Sequence, residues 1–313
     1  MIKRKLVILL FPFIFYGQEC APCETIANPA MEITSIKSSW PKIKNKSIVK
    51  INSLTNILYE NQDDYWEQWK RPSWWMREGR DPWTEDPIWG DGYIEPNLNF
   101  NSCVNDNLRW KCGYSYVLRF PENFKRNKKH PLVIFLHGGI NSDPRRLNSR
   151  ILTVNSFFIP ENDQYIIASP IKLGIDWSPK KIQDVIADIE SQLKIDKKRI
   201  YLTGLSMGGR GTFIVASKIP EVFAAIMPLS PHHGPYSYLS LSEKVSHLPT
   251  FLHHSTNDST SKFSMAKSMF DKLSNSNDNL IFDIGSSGHS GWNKIYSDKE
   301  NINWLLSWKK NKF

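Results

Sequence analysis

The 313-residue sequence predicts an α/β fold: a mostly parallel sheet covered by helices on both faces. Three observations predict it. Short apolar runs alternate with segments whose apolar residues recur at helical spacing. One run, residues 200–203, leads straight into Gly204-Leu205-Ser206-Met207-Gly208-Gly209 and then a helix-like stretch. Two later runs end in polar loops, the first carrying Asp258 and the second His289.

The elements follow in order. Leu132-Val133-Ile134-Phe135-Leu136 is a continuous apolar strand running into His137-Gly138-Gly139-Ile140. Residues 181–193 place Ile182, Val185, Ile186, Ile189 and Leu193 on one helical face. Residues 200–203 have the composition of a buried parallel strand, and residues 211–216 carry apolar side chains into a helix that stops by Pro220. Residues 224–229 form the next strand. Residues 249–254 form another, ending in Ser255-Thr256-Asn257-Asp258. Met265, Ala266, Met269, Phe270 and Leu273 make a second amphipathic face. Residues 280–284 form the last strand, followed by the flexible loop Gly285-Ser286-Ser287-Gly288-His289-Ser290-Gly291. Ile302, Leu305, Leu306 and Trp308 suggest a closing helix. The connection between Leu229 and Leu248 is long enough for a small cap, and loops on a rigid scaffold are where specificity is set.

Gly-x-Ser-x-Gly between a strand and a helix is the nucleophile-elbow pattern. A serine hydroxyl needs a base, and the base needs an orienting acid. In this architecture the chain order is serine, acid, histidine. Ser206, Asp258 and His289 satisfy that order, and each follows a strand's carboxyl end, where open α/β sheets gather their ligands. Asp283 is the rival acid, but it falls inside a strand pattern. His253 and His254 are expected to pack or hydrogen-bond within theirs. His232 and His233 are candidates to border the substrate pocket. His233 and Trp292 are the substrate-binding candidates. The Met207 N–H, with that of Gly139 or Ile140, is expected to hold a developing oxyanion. His137 is expected to be structural. This chemistry needs no metal and no organic cofactor.

The sequence His137-Gly138-Gly139, Gly204-Leu205-Ser206-Met207-Gly208-Gly209, Asp258 and Gly288-His289-x-x-Trp292-x-x-x-Tyr296 resembles α/β-hydrolase serine esterases. More narrowly, it is similar to secreted carboxylesterases related to polyhydroxybutyrate depolymerases and feruloyl esterases, in which a prolyl-oligopeptidase-like catalytic domain stands alone. Tyr114-x-Tyr116-x-Leu118-x-x-Pro121-Glu122 resembles the family's entry strands, and residues 196–201 resemble its approach to the elbow. The likeness covers about Lys111 to Trp308. It implies the α/β-hydrolase fold and an exported serine hydrolase that cleaves carboxylic esters through an acyl-enzyme. The substrate would be a small-molecule or polysaccharide-linked ester. A peptidase with the same triad is the alternative, and a glycan-binding protein on a hydrolase scaffold is another. The chain departs from many relatives at His254-Ser255, where they have His-Gly, and residues 232–238 match no family motif.

Composition sets further bounds. The net charge of +9 comes from bases scattered along the chain, so a solvated basic surface is expected rather than a nucleic-acid partner. Residues 1–17 read as a signal peptide: a positive start, an apolar run from Leu6 to Tyr16, then Gly17. That run covers only about half of the roughly 30 Å of a bilayer core, so no stable membrane span is expected, and the destination is secreted or periplasmic. Cys20 offers a lipoprotein alternative, but Glu19 precedes it. Cys103 and Cys112 are near enough to bridge, and Cys20 and Cys23 sit close together near the mature N-terminus. Residues 18–110 are expected to form an N-terminal extension packing on a catalytic domain at 111–313. Within it Trp66, Trp69, Trp74, Trp75, Trp83 and Trp89 crowd into residues 60–96, mixed with charges and prolines. A strap over the hydrolase domain, a lip over the active site and a separate binding module are the readings of this segment; it is short for a core of its own.

Overall fold

The computed structural model describes residues 38–40, 48–53, 114, 116–139, 152–171, 177–234 and 237–310. The leader, the Trp-rich stretch and the four cysteines lie outside the described residues.

Alternation along the central strands builds two cores. In β4 (His130–Leu136), Leu132, Ile134 and Leu136 face one side and Val133 and Phe135 the other. In β6 (Ile195–Leu205), Ile200 and Leu202 join the first side and Tyr201 and Leu205 the second. β7 (Ala225–Leu229) and β8 (Thr250–Ser255) divide in the same way: Ile226 and Leu252 against Met227 and Phe251. Strands buried on both faces read as unbroken apolar runs, which is why the sequence marks them so clearly. Each fully buried aliphatic side chain contributes about 1.5–3 kcal/mol.

With β1 (Ser38–Ser39), β2 (Ile48–Ser53), β3 (Tyr116–Arg119), β5 (Ile166–Pro170) and β9 (Leu280–Gly285), these strands make one nine-stranded sheet. Its order is β1-β2-β3-β5-β4-β6-β7-β8-β9. From β5 to β9 all neighbours are parallel, and β1, β2 and β3 add on in antiparallel pairs. This is the α/β-hydrolase fold.

Helices cover both faces. α1 (Pro179–Gln192), α2 (Met207–Lys218), α3 (Ser242–Val245) and α4 (Phe263–Ser274) feed the first core. α5 (Trp292–Ser297), α6 (Lys299–Ser307) and a 3-10 turn at Leu152–Ser156 feed the second. Ser178 starts α1 as its N-cap, accepting from Lys181 N at 3.3 Å, with Pro179 at the first helical position. Among the described residues no helix is long and apolar enough to cross a membrane.

Two expectations change. The chain before Ser53, expected only to pack on the catalytic domain, supplies β1 and β2; Ile48 pairs with Arg119 and Ile51 with Tyr116. The N-terminal extension thus adds strands to the sheet itself. The described residues of the connection from Leu229 to Leu248, read as long enough for a small cap, pack largely into the first core. Tyr238, Leu241, Val245 and Leu248 are buried in the first core, where Tyr238 stacks on Phe213 of α2 with centroids 5.2 Å apart. Its apolar residues find a deeper sink beside α2 than above the sheet's end. At its start, His232 N donates to Ser206 O at 3.0 Å.

Candidate active site

β6 ends at Leu205 and α2 begins at Met207, leaving Ser206 alone in the corner with φ 56° and ψ −117°. A non-glycine residue in such a conformation costs about 1–3 kcal/mol and persists only where its surroundings over-determine it. Here they do. Ser206 N donates to Leu229 O at 2.9 Å, and Ser206 O accepts from Arg210 N and His232 N, both at 3.0 Å. The flanking glycines make the corner possible. A Cβ on Gly208 would sit 1.9 Å from Leu136 O, and one on Gly204 would sit 2.3 Å from Gly208 O. The hydroxyl therefore stands at the carboxyl end of the central strands, beside the free N–H groups that open α2.

The loop after β4 runs against this corner. A Cβ on Gly138 would lie 2.8 Å from Leu205 Cδ1 and 3.4 Å from Ser206 Cβ. Met207, which follows the serine, and Gly139, which follows Gly138, are expected to supply oxyanion donors, and both are half-buried. Ile140 lies outside the described residues. His137 is buried, with its ring 4.9 Å from that of Trp177 and its Nδ1 2.7 Å from Gly138 O, a structural placement.

His289 reaches the serine from the loop after β9. Gly288 at φ 64° and Gly291 at φ 83° bend that loop in left-handed steps open to glycine. His289 Nε2 lies 2.8 Å from Ser206 Oγ, and Nδ1 lies 2.7 Å from Asp258 Oδ2. The Asp258 side chain has no exposed surface. Its Oδ1 accepts from Thr260 N at 2.9 Å and Ser261 N at 2.8 Å. Burial pushes its carboxyl upward, but the Ser261 N–H, the His289 ring and the Thr260 N–H outweigh that and hold it below the usual carboxylate range. An ionised acceptor at Nδ1 fixes the proton there and leaves Nε2 free to accept the serine proton.

The acid and histidine loops are laced together. Gly288 N donates to Asn257 Oδ1 at 2.9 Å, Ser287 N to Ser255 Oγ at 3.2 Å, and Thr256 N to Gly285 O at 2.9 Å. Asn257 was not singled out from the sequence; its one signal is that it adjoins Asp258 in a polar turn.

Each rival group has partners of its own, although His254 Nε2 also lies 3.5 Å from Asp258 Oδ2. Asp283 meets His253 Nδ1 at 2.6 Å. His254 is buried, donates from Nε2 to Ser261 O at 3.0 Å, and is held below the ordinary histidine range by that burial. His232 and His233 stack with centroids 4.9 Å apart. Burial lowers His232 to about 4, and its Nδ1 accepts from Gly234 N at 3.1 Å. Burial and the neighbouring Lys262 and Arg210 charges lower His233, whose Nδ1 accepts from Lys262 N at 3.3 Å. His233 remains half-buried beside Asp258. Trp292, expected to line the substrate site, is 8 % exposed. Its ring stands edge-on to that of His289, with centroids 4.9 Å apart and planes at 90°. Its indole N–H is used on Ser230 Oγ at 3.0 Å, so it supports the histidine from within the second core.

Residues 178–312 match the family described as PETase, PET hydrolase-like. A bifunctional acetylxylan esterase/xylanase of Neocallimastix patriciarum is 28 % identical over 182 residues, covering 55 % of this chain and 26 % of that protein. A "Probable feruloyl esterase C" of Aspergillus flavus is 27 % identical over 146 residues, covering 40 % of this chain and 52 % of that protein. The chain thus spans about a quarter and about half of the lengths of these curated relatives. Among solved structures, a thermostable esterase aligns with a TM-score of 0.49 at 24 % identity, over 63 % of this chain and 60 % of that one. The sheet order and the strand–serine–helix corner give the chain the α/β-hydrolase fold, and its sequence is similar to those of these acetylxylan and feruloyl esterases.

Proposed function

We propose that this protein is a serine carboxylic-ester hydrolase working through an acyl-enzyme. The observation that carries the reading is the unbroken relay from Asp258 through His289 to Ser206, at 2.7 and 2.8 Å. His289 Nε2 takes the hydroxyl proton as Ser206 Oγ attacks the ester carbonyl carbon. Asp258 stabilises the imidazolium that results. The negative oxygen of the tetrahedral intermediate is held by the Met207 N–H together with that of Gly139 or Ile140. The intermediate collapses, His289 hands its proton to the departing alcohol, and the acyl group stays on Ser206. Water, deprotonated by His289, then releases the acid by the same steps.

Acetyl and feruloyl esters on plant polysaccharide are the substrates that the relatives suggest for this chain. The same relationship, with the residue 1–17 leader pattern, supports export. Ser206→Ala should lower turnover of a p-nitrophenyl ester by about 10⁴-fold or more and abolish fluorophosphonate labelling. Full turnover by that variant would overturn the assignment. Parallel assays on acyl esters and aminoacyl amides, with hydrolysis of the amides alone, would move the reading to a peptidase.

A further inference from the structure

Among the described residues, two non-glycine side chains sit at positive φ: Ser206 at 56° and Ser230 at 42°. The first is the candidate nucleophile. The second lies one residue beyond β7, is fully buried, and is required by nothing in the reaction proposed above. A strained, buried, non-glycine residue beside a reaction centre is itself an observation that asks for a role.

Its hydrogen bonds supply one. The segment 229–232 grips the nucleophile at both of its peptide groups: Leu229 O accepts from Ser206 N at 2.9 Å, and His232 N donates to Ser206 O at 3.0 Å. Between these two contacts, Ser230 N donates to His253 O on β8 at 2.7 Å. That pins the turn to the next strand. Ser230 Oγ then accepts from the Trp292 indole N–H at 3.0 Å, in a buried contact. The Trp292 ring bears edge-on against His289, 4.9 Å away. One short strained turn therefore holds the serine backbone directly and reaches the base through a single indole. The left-handed step lets Ser230 send N–H to β8 and Oγ to Trp292 while residues 229 and 232 both face Ser206.

We propose that Ser230 and Trp292 are positioning residues that fix the distance and angle between Ser206 and His289. Both act through other residues, Ser230 through the 229–232 turn and the indole, Trp292 through the His289 ring. The proposal rests on the serine-hydrolase reading above and adds the device that sets its geometry. Reacting groups must meet within a few tenths of an ångström, and a misplacement of about 1 Å costs as much as 10²-fold in rate. Loosening the indole should therefore act on kcat and leave ground-state binding alone.

The test compares wild type with Ser230→Ala, Trp292→Phe and the double variant. Activity is normalised to the protein that takes up a fluorophosphonate at completion, so misfolded material is not counted, and Tm is recorded separately. Each single variant should lower kcat about tenfold, slow fluorophosphonate labelling to a similar degree, and keep KM within about twofold. The double variant should be no worse than the poorer single, because both cut one chain of contacts. Lower Tm with unchanged kcat per labelled serine in both singles would reduce the pair to packing and overturn the proposal. A double variant showing the product of the two losses would also overturn it. If Ser230→Ala does not fold, Trp292→Phe, which keeps an aromatic ring but loses the N–H and half of the fused system, decides alone. A wild type that neither turns over esters nor takes the label defeats the reaction and this device together; an active wild type with unchanged variants defeats the device alone.

Discussion

Gly208 has no room for even one more carbon. A methyl there would sit 1.9 Å from Leu136 O, and backbone on both sides leaves nothing flexible to yield. Gly208→Ala should cost at least about 3 kcal/mol, beyond ordinary overpacking, read as a lower urea midpoint or loss of soluble protein. At Asp258 the consequence is one of charge. Its carboxyl is held below the usual range, so its stabilising effect is complete above that range and fades as pH falls through the lower folded value. Asp258→Asn should be less stable than wild type near neutrality, and the gap measured by urea unfolding should close as pH falls through and below the ordinary carboxylate range. Its kcat should fall by about 10⁴-fold, since an amide cannot fix the imidazole tautomer in the same way.

At the scale of elements, α6 is held at its start by Asp298, whose Oδ1 accepts from Glu300 N at 2.7 Å and Asn301 N at 3.3 Å. Asp298→Ala should cost about 1 kcal/mol in thermal or urea unfolding and leave kcat unchanged, because α6 supports the second core away from the relay. Elements of this kind were legible in the sequence where burial imposes a period. The faces of α1 and α4 and the apolar runs of β4 and β8 repeat at 3.6 or alternate between two cores, and residue choice records it. The corner at Ser206 was legible because glycine is forced on both sides of it. β2 was not. It carries Lys50 and Asn52 among Ile48, Val49 and Ile51, and its partner β3 lies far along the chain. Ser230 was equally silent, since serine is common in loops and only the backbone angle marks it. For Trp292 the sequence marks only an aromatic residue near a histidine, which reads the same whether it faces the pocket or the core.

Across the whole molecule, buried neutral imidazoles set how the fold answers acid. His232 and His254 both lie below the ordinary histidine value of 6.5, and desolvation is the main cause for each. A depressed folded value means the native state takes up a proton later than the unfolded chain does. Their contribution is therefore complete above 6.5 and is lost as pH falls toward the His232 value of about 4. Urea midpoints of the wild type should drop across that window, and His232→Gln with His254→Gln should flatten the drop. The sheet's outer margin carries a practical consequence. Because Ile48–Ser53 covers the flank of Tyr116–Arg119, a recombinant protein begun at residue 111 would present that flank bare, with unpaired N–H and C=O groups that recruit other chains into aggregates. The start site for a shortened, well-behaved expression product therefore belongs ahead of Ser38.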